Sequence, residues 1–543
     1  LTSRKARSFW MPVRTACCLA SAIISGILTS EKDEHYNVTG SEINDDNEIA
    51  QMIGEKWGVR IKETWLTGQT ASEATGMLIA SDEYPDYIDS DDMSLLVDAG
   101  ALIPLDDYID QYPEFKEKWF TEDEWEKFRQ PDGHIYWINP FGNTKGEPTA
   151  TTHNDEAFWI QVRVLEWAGY PEIKTMDQYF QVIEDYMAAN PTMEDGTPNI
   201  PYTILCEDWR YFCLENAGQF LGGYPNDGSV IVNKDTMTVE DYNTSDDTVK
   251  YFKKLNEEYQ KGFVDPESFT QTYDEYIAKL STGRVLGMVD QWWDFAYTVN
   301  DVFKQQGLDA KGCNYVPLGL TTEEGMENRW HTYDDTVNQA SGVAITKDCK
   351  DPDKAFKFIV DCAMDQELHD LRFWGVKDVD YTVDENGLYA RTEEQRMNLS
   401  DTAYQASHRC QYSYMPQWGG TSDDGINANK PEEQPAEFQV DMAQPLKDCF
   451  AAYGAGNYVD MIGSVVETNG PWFPMYSYSN NFTTETPGGV AWTKMGEIKH
   501  EYLPKVVMAS DFETGWAEYM DAYNACKPED FISEMQAILD TFK

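Results

Sequence analysis

Between residues 48 and 113 the apolar pattern switches repeatedly between helical spacing and short extended runs, and this alternation is what most constrains the fold. EIAQMIGEKWGVRIKETWL (48–66) reads as an amphipathic helix running into a strand. MLIASDEYPDYID (77–89) reads as a helix end, a turn and a strand, and ALIPLDDYIDQYP (101–113) as another short element. Helices alternating with strands build α/β layers around a mainly parallel sheet. A chain of 543 residues exceeds what one core holds, so at least two domains are expected. Later helices carry their own start signals. Thr175 and Gln178 stand at capping-box spacing ahead of the stripe Met176, Tyr179, Phe180, Ile183 and Met187. Asp351 precedes Pro352 at the head of 351–364. Near the end, Phe531, Ile532, Met535, Ile538, Leu539 and Phe542 repeat at helical spacing. The last third therefore reads as helix-rich, with long loops between 378 and 450.

Charge narrows the partners. The chain has 95 acidic against 42 basic side chains, a net of -53, and a field of that sign repels nucleic acid and anionic lipid. Arg4, Lys5, Arg7 and Arg14 precede the apolar run 16–28, the pattern of a secretory signal, too short for a membrane span. Cys17 and Cys18 open that run, whereas an acylated cysteine follows one, so export is the expectation from this segment and an acylation site is not visible in it. The other eight cysteines are scattered without a CxxC. Free buried thiols are the expectation, with a Cys206–Cys213 disulfide the lesser alternative. No HExxH, GxSxG, GxGxxG or Walker loop occurs, and the seven histidines form no ligand spacing, so no cofactor or metal is implied. Paired carboxylates for glycoside hydrolysis depend on separation in space, which spacing in sequence does not supply.

Ordered motifs then cover 150–543. DEAFWIQVRVLEWAGYPEIKTMDQYF (155–180) places Leu165, Gly169, Pro171 and Thr175 as a strand, a helix and the next helix cap. YIAKLSTGRVLGMVDQWWDF (276–295) follows with Gly283, Arg284 and Met288. After it come SGVAITKDCKDPDKAFKFI (341–359), RFWGVKDVDYTVDENG (372–387) and EYLPKVVMASDFETGWAEYM (501–520). In this order they resemble the family 1 extracellular solute-binding proteins of bacterial ABC sugar importers, in their larger lipoprotein-type branch. The resemblance implies an α/β, two-lobed type II periplasmic-binding-protein-like fold with hinge strands and a helix-rich C-terminal part. It divides the chain into a signal-like segment 1–40, lobe one at 41–153 and 291–341, and lobe two at 158–286 and 346–543, with hinges near 154–157, 287–290 and 342–345. It further implies a monomeric, non-enzymatic, cell-surface lipoprotein that passes an oligosaccharide to ABC permease subunits. The family's calcium loop is degraded: in ANPTMEDGTPNIPY (189–202) Asn190 and Thr192 stand at ligand positions, leaving Glu194, Asp195 and Asn199, so a polar turn is expected.

The chain's 17 Trp, 32 Tyr and 24 Phe supply flat rings that suit the C–H face of a sugar while nearby carboxylates and amides take its hydroxyls. Trp292 and Trp293 follow the strand VLGMV directly, beside Asp290 and Asn300, and form the leading candidate pair. Trp209, Arg210 and Tyr211 follow IPYTILC. Trp472 and Trp418 sit in Pro- and Gly-bounded loops, and Trp137 and Asn139 lie in HIYWINPFGN. Trp65 and Glu63 are fainter candidates, while Trp57, Trp167, Trp374 and Trp516 read as packing. The rival readings are a carbohydrate-active enzyme with the same kind of cleft, and a peptide-binding protein of the same fold.

Overall fold

The computed structural model describes residues 46–62, 71–90, 93–225, 229–331, 339, 342–463, 470–480 and 482–543. The signal-like segment, Glu63 and Trp65 lie outside the described residues. Two hydrophobic cores form. The first draws on 49–138, 343–371 and 410–418, the second on 157–330 and 446–539. The chain thus crosses between cores after 138, after 330 and after 418. This differs from the expected division, because 291–318 packs in the second core and 343–418 in the first. Residues 287–290 are not a crossing but the buried middle of a strand.

The strands of the two main sheets are Tyr87–Ile88 (β1), Trp137–Ile138 (β2), Glu156–Gln161 (β3), Ile200–Tyr202 (β4), Val285–Gln291 (β5), Tyr315–Leu318 (β6) and Val343–Ile345 (β7). The first lobe's sheet runs β1–β7–β2, with β7 antiparallel to both neighbours through Tyr87↔Ile345 and Val343↔Ile138. The second runs β4–β5–β3–β6, where β4 and β5 are parallel and the other pairs antiparallel. The expected mainly parallel sheet is therefore corrected to a mixed one. Strands β3 and β7 arrive from the opposite lobe, so they enter between or beside outgoing strands and run against them. That same geometry puts the carboxyl ends of β1, β2 and β5 on the sides where the chain crosses. Open α/β sheets bind ligand beyond those ends.

Local signals explain the helices. Thr175 and Gln178 form a complete capping box on Met176–Ala189, and Asp351 accepts from the Lys354 N–H to start Pro352–Met364. The stretch 378–450 is not all loop, since Glu393–Ser400, Thr402–His408, Pro435–Asp441 and Gln444–Tyr453 are short helices. Two glycines are dictated by contact. A Cβ on Gly287 would collide with the Tyr179 hydroxyl, which donates to Trp159 O at 2.8 Å across the sheet. Gly420 has φ +73° and faces Lys145 O, where 144–145 and 419–420 pair in parallel and tie the first crossing to the third. Thr149 Oγ1 to Glu433 Oε2 (2.6 Å) and Thr151 Oγ1 to Glu432 O (2.7 Å) extend that tie.

The signature 372–387 is a packing device. Arg372 is buried and donates to four carbonyls, of Gln411, Tyr412, Met415 and Pro416, which docks 410–418 on the helix Gln366–Phe373. All eight cysteines among the described residues are free thiols, Cys206 and Cys213 included. No helix among them is long and apolar enough to cross a membrane.

Candidate functional site

β4 and β5 are parallel neighbours, so their carboxyl ends lie side by side, and the chain leaving each carries tryptophans. Beyond β5 the helix Trp292–Gln306 begins at once. Consecutive residues on a helix point about 100° apart, so the Trp pair must divide. Trp292 turns inward: it is 6% exposed, against Trp159, Phe295 and Tyr458 at centroid distances of 5.5, 6.1 and 4.4 Å. Trp293 turns outward and stays half-buried, its indole N–H donating to Gln291 Oε1. Its ring lies parallel to that of Trp209, 5.7 Å away at 13°, with Phe212 stacked 6.0 Å from Trp209. Trp209 is 37% exposed.

Arg210 supports this stack from beneath. It is buried, with its guanidinium 4.4 Å from the Trp209 ring and 3.9 Å from that of Tyr273, and its Nε donates to Asp294 Oδ1 at 2.9 Å. Burial pushes the Asp294 carboxyl up while Arg210 pulls it back. Asp290 is fully buried and accepts from Tyr276 Oη (2.6 Å), Gln291 N (2.7 Å) and Cys213 Sγ (3.4 Å). Burial first, then the charge of Asp294, hold it well above the usual carboxylate range. Glu156, at the cleft end of β3, is likewise pushed well up, by burial first and then by Asp155. Ligand atoms of Cys213, Asp290 and Asp294 lie within 4.8 Å of one another, as a metal site would require. Arg210 already supplies a positive charge there, and Asp294 Oδ2 has no hydrogen bond among the described residues.

Most other sequence candidates are structural. Trp137 is fully buried with its N–H on Gln339 O at 3.0 Å. Trp418 is 9% exposed, packs edge-on to Trp119 and donates to Ala363 O. Tyr211 is buried, stacked 3.9 Å from His500, its hydroxyl donating to Lys499 O. Asn139 closes a turn by accepting from Phe141 N at 2.8 Å. Asp290, Arg210 and Trp292 belong to the supporting layer under the rings. The Trp137 and Trp418 N–H groups each find a backbone carbonyl of a distant segment, a tertiary fact that the flanking Pro and Gly do not reveal. Trp472 stays half-buried against the second core. Trp167, expected to pack, is 46% exposed and edge-on to Tyr186.

Sequence reasoning missed two exposed rings. Tyr297, one turn beyond Trp293, is 63% exposed. Its hydroxyl is nonetheless pushed up to about 12, by desolvation first and then by Glu432 and Glu433, with Arg409 opposing. Those three charged residues belong to the first lobe and the third crossing. Phe141, just past β2, is 40% exposed and edge-on to Tyr414 at 5.4 Å. The i, i+4 spacing from Trp293 was the available signal for Tyr297. In the turn 189–202, Glu194 pairs with Lys311 at 2.9 Å, and Asn199 accepts from Arg163 and donates to Asn190 O.

Comparison with known proteins places this architecture. The fructooligosaccharide ABC transporter substrate-binding protein FusA of Streptococcus pneumoniae is 30% identical over 251 residues, which is 42% of this chain and 44% of that protein. The alignment thus spans less than half of that relative's length. The structure of S. pneumoniae FusA in complex with kestose superposes with a TM-score of 0.62 at 19% identity, covering 92% of this chain and 98% of that one. A Bifidobacterium longum infantis HMO-binding, ABC-transporter-associated solute-binding protein gives 0.61 at 14% identity, over 93% and 97%. The alginate-binding protein AlgQ2 gives 0.58 at 15%, over 93% and 97%. These share the two-lobed fold. Residues 48–370 match the model of the bacterial extracellular solute-binding proteins, and it is to this family that the chain belongs.

Proposed function

We propose that this protein captures an oligosaccharide between its lobes, as a monomer at the cell surface, and presents it to the permease of an ABC importer. The observation that carries the reading is the parallel Trp209–Trp293 stack, held partly open at the adjoining carboxyl ends of β4 and β5. Flat rings in that place suit a sugar's apolar face. The names of the relatives supply the ligand class, because FusA is described for fructooligosaccharides and in complex with kestose, and AlgQ2 for alginate.

Asp290, Asp294 and Glu156 are each at most 1% exposed, so these three do not supply the accessible pair of carboxyl groups that a hydrolase needs flanking the bond. The test is calorimetric titration of the protein with a panel of neutral and acidic oligosaccharides, followed by chromatography of each mixture. One or a few glycans should bind with micromolar or tighter affinity, which is about 8 kcal/mol, and be recovered intact. Cleaved glycans would replace this reading with the enzymatic one, and a panel without a binder would remove sugar capture.

A further inference from the structure

Cys213, Asp290 and Asp294 come from three segments that meet in the layer under the ring stack. These are the short helix Phe212–Glu215 beyond β4, the end of β5, and the first turn of Trp292–Gln306. Cys213 and Asp290 are wholly buried, and Asp294 is 1% exposed. The thiol sulfur and one oxygen of each carboxyl lie within 4.8 Å of one another. Cys213 Sγ stands 3.4 Å from Asp290 Oδ1. Sulfur and oxygen ligands around a tetrahedral zinc ion are spaced roughly 3.3–3.8 Å apart, so a shift of about 1 Å at Asp294 brings the third atom to the same spacing. The outer partners that orient metal-bound carboxylates are already in place. Tyr276 Oη (2.6 Å) and Gln291 N (2.7 Å) donate to Asp290, Arg210 Nε (2.9 Å) donates to Asp294 Oδ1, and Tyr273 Oη donates to the Asp294 carbonyl. Asp294 Oδ2, by contrast, is buried with no hydrogen bond among the described residues. Sequence spacing hid this set, because residues 213 and 290 are 77 apart.

We propose that Cys213, Asp290 and Asp294 bind one zinc-type divalent cation, which staples the chain leaving β4 to the chain leaving β5 beneath Trp209 and Trp293. As ligands the three side chains carry three negative charges, and Arg210 offsets one of them. A divalent cation then leaves the buried group neutral, which a monovalent one does not. Calcium and magnesium call for about six or more oxygens, waters included, whereas a sulfur with two carboxylates in a closed site suits zinc. The inference goes beyond sugar capture and does not depend on it.

Because the three residues are closed to solvent, the cation is supplied while the protein is made. The full-length protein and its Cys213→Ser and Asp294→Asn variants are produced with added Zn²⁺, with added Co²⁺ or with neither, then desalted and analysed for bound metal, visible absorption and Tm. The wild type should retain one equivalent and, with Co²⁺, show a thiolate-to-cobalt charge-transfer band beside the d–d bands of a tetrahedral ion. Zinc-loaded protein should melt about 5–10 °C above the metal-free form, the shift expected for a cation at about a hundred times its Kd. Cys213→Ser should lose the charge-transfer band, and both variants should yield the cation to a chelator at least about tenfold more readily. Folded wild-type protein that retains neither metal would overturn the inference, as would a cobalt spectrum without thiolate ligation or one unchanged in Cys213→Ser. The first two of these outcomes are read on the wild type alone, so they decide the matter even where a variant fails to fold. Glycan titration plays no part in this experiment, so sugar capture stands or falls separately.

Discussion

Adjacent tryptophans on one helix turn should fail in opposite ways when truncated. Trp292 is 6% exposed and lies against Trp159, Phe295 and Tyr458, all buried. These neighbours are large rings anchored in the sheet and its crossing, so they collapse poorly into the space an alanine would leave. Trp292→Ala should therefore cost about 3–5 kcal/mol of stability. At roughly 2–4 °C per kcal/mol, Tm should fall by about 6–20 °C. Trp293 is half-buried and offers its ring to the cleft. Loss of one stacking contact removes about 0.5–1.5 kcal/mol, and loss of about 50 Å² of buried apolar area removes roughly another 1.2 kcal/mol. Together about 2 kcal/mol corresponds to a Kd weakened roughly 30-fold. Differential scanning fluorimetry and calorimetric titration on both variants separate the outcomes. A Trp292→Ala protein with normal Tm and weakened binding, or a Trp293→Ala protein that melts early and binds normally, would refute the division of the pair.

Three further outcomes follow from the polar groups. Asp290 has its folded-state pKa raised, so its stabilising contribution is full below the unfolded value of about 4 and is lost as pH rises through the folded value, at about 1.4 kcal/mol per pH unit. Asp290→Asn cannot ionise, so the stability of the variant relative to wild type should climb with pH from about 4 upward, and a difference that stays flat in denaturant melts across that range would contradict the assignment. Arg372→Met should strand four buried carbonyls and cost at least about 3 kcal/mol, seen as a lower first-lobe transition and faster proteolysis within 410–418; an unchanged melt would show that water replaces the guanidinium. With Glu194 on Lys311 and Asn199 on Arg163, millimolar calcium or excess chelator should leave Tm in place, whereas a rise of several degrees with calcium would mean that 189–202 rearranges into a cation site.

The readable parts of this protein were those set by local physics. Thr175 with Gln178, and Asp351 with Pro352, mark helix starts because capping joins residues only three apart, and the stripe Met176 to Ile183 is buried as its period requires. Gly287 and Gly420 were visible as glycines, but the Tyr179 hydroxyl and the Lys145 carbonyl that demand them come from distant chain. The same divide runs through the site. The strand-then-helix run VLGMVDQWW announced that rings would emerge at the end of β5, yet which ring entered the core depended on Trp159 and Tyr458, 133 and more residues away along the chain. Trp137, Trp418 and Tyr211 looked like rim residues from their neighbours and became core because carbonyls of other segments took their polar atoms. Lobe membership was likewise tertiary: three crossings sent 291–318 to one core and 343–418 to the other, because β6 pairs with β3 and β7 inserts between β1 and β2. Spacing within one helix turn is fixed by covalent geometry, whereas pairing between strands is chosen by contacts that exist only once both lobes have assembled.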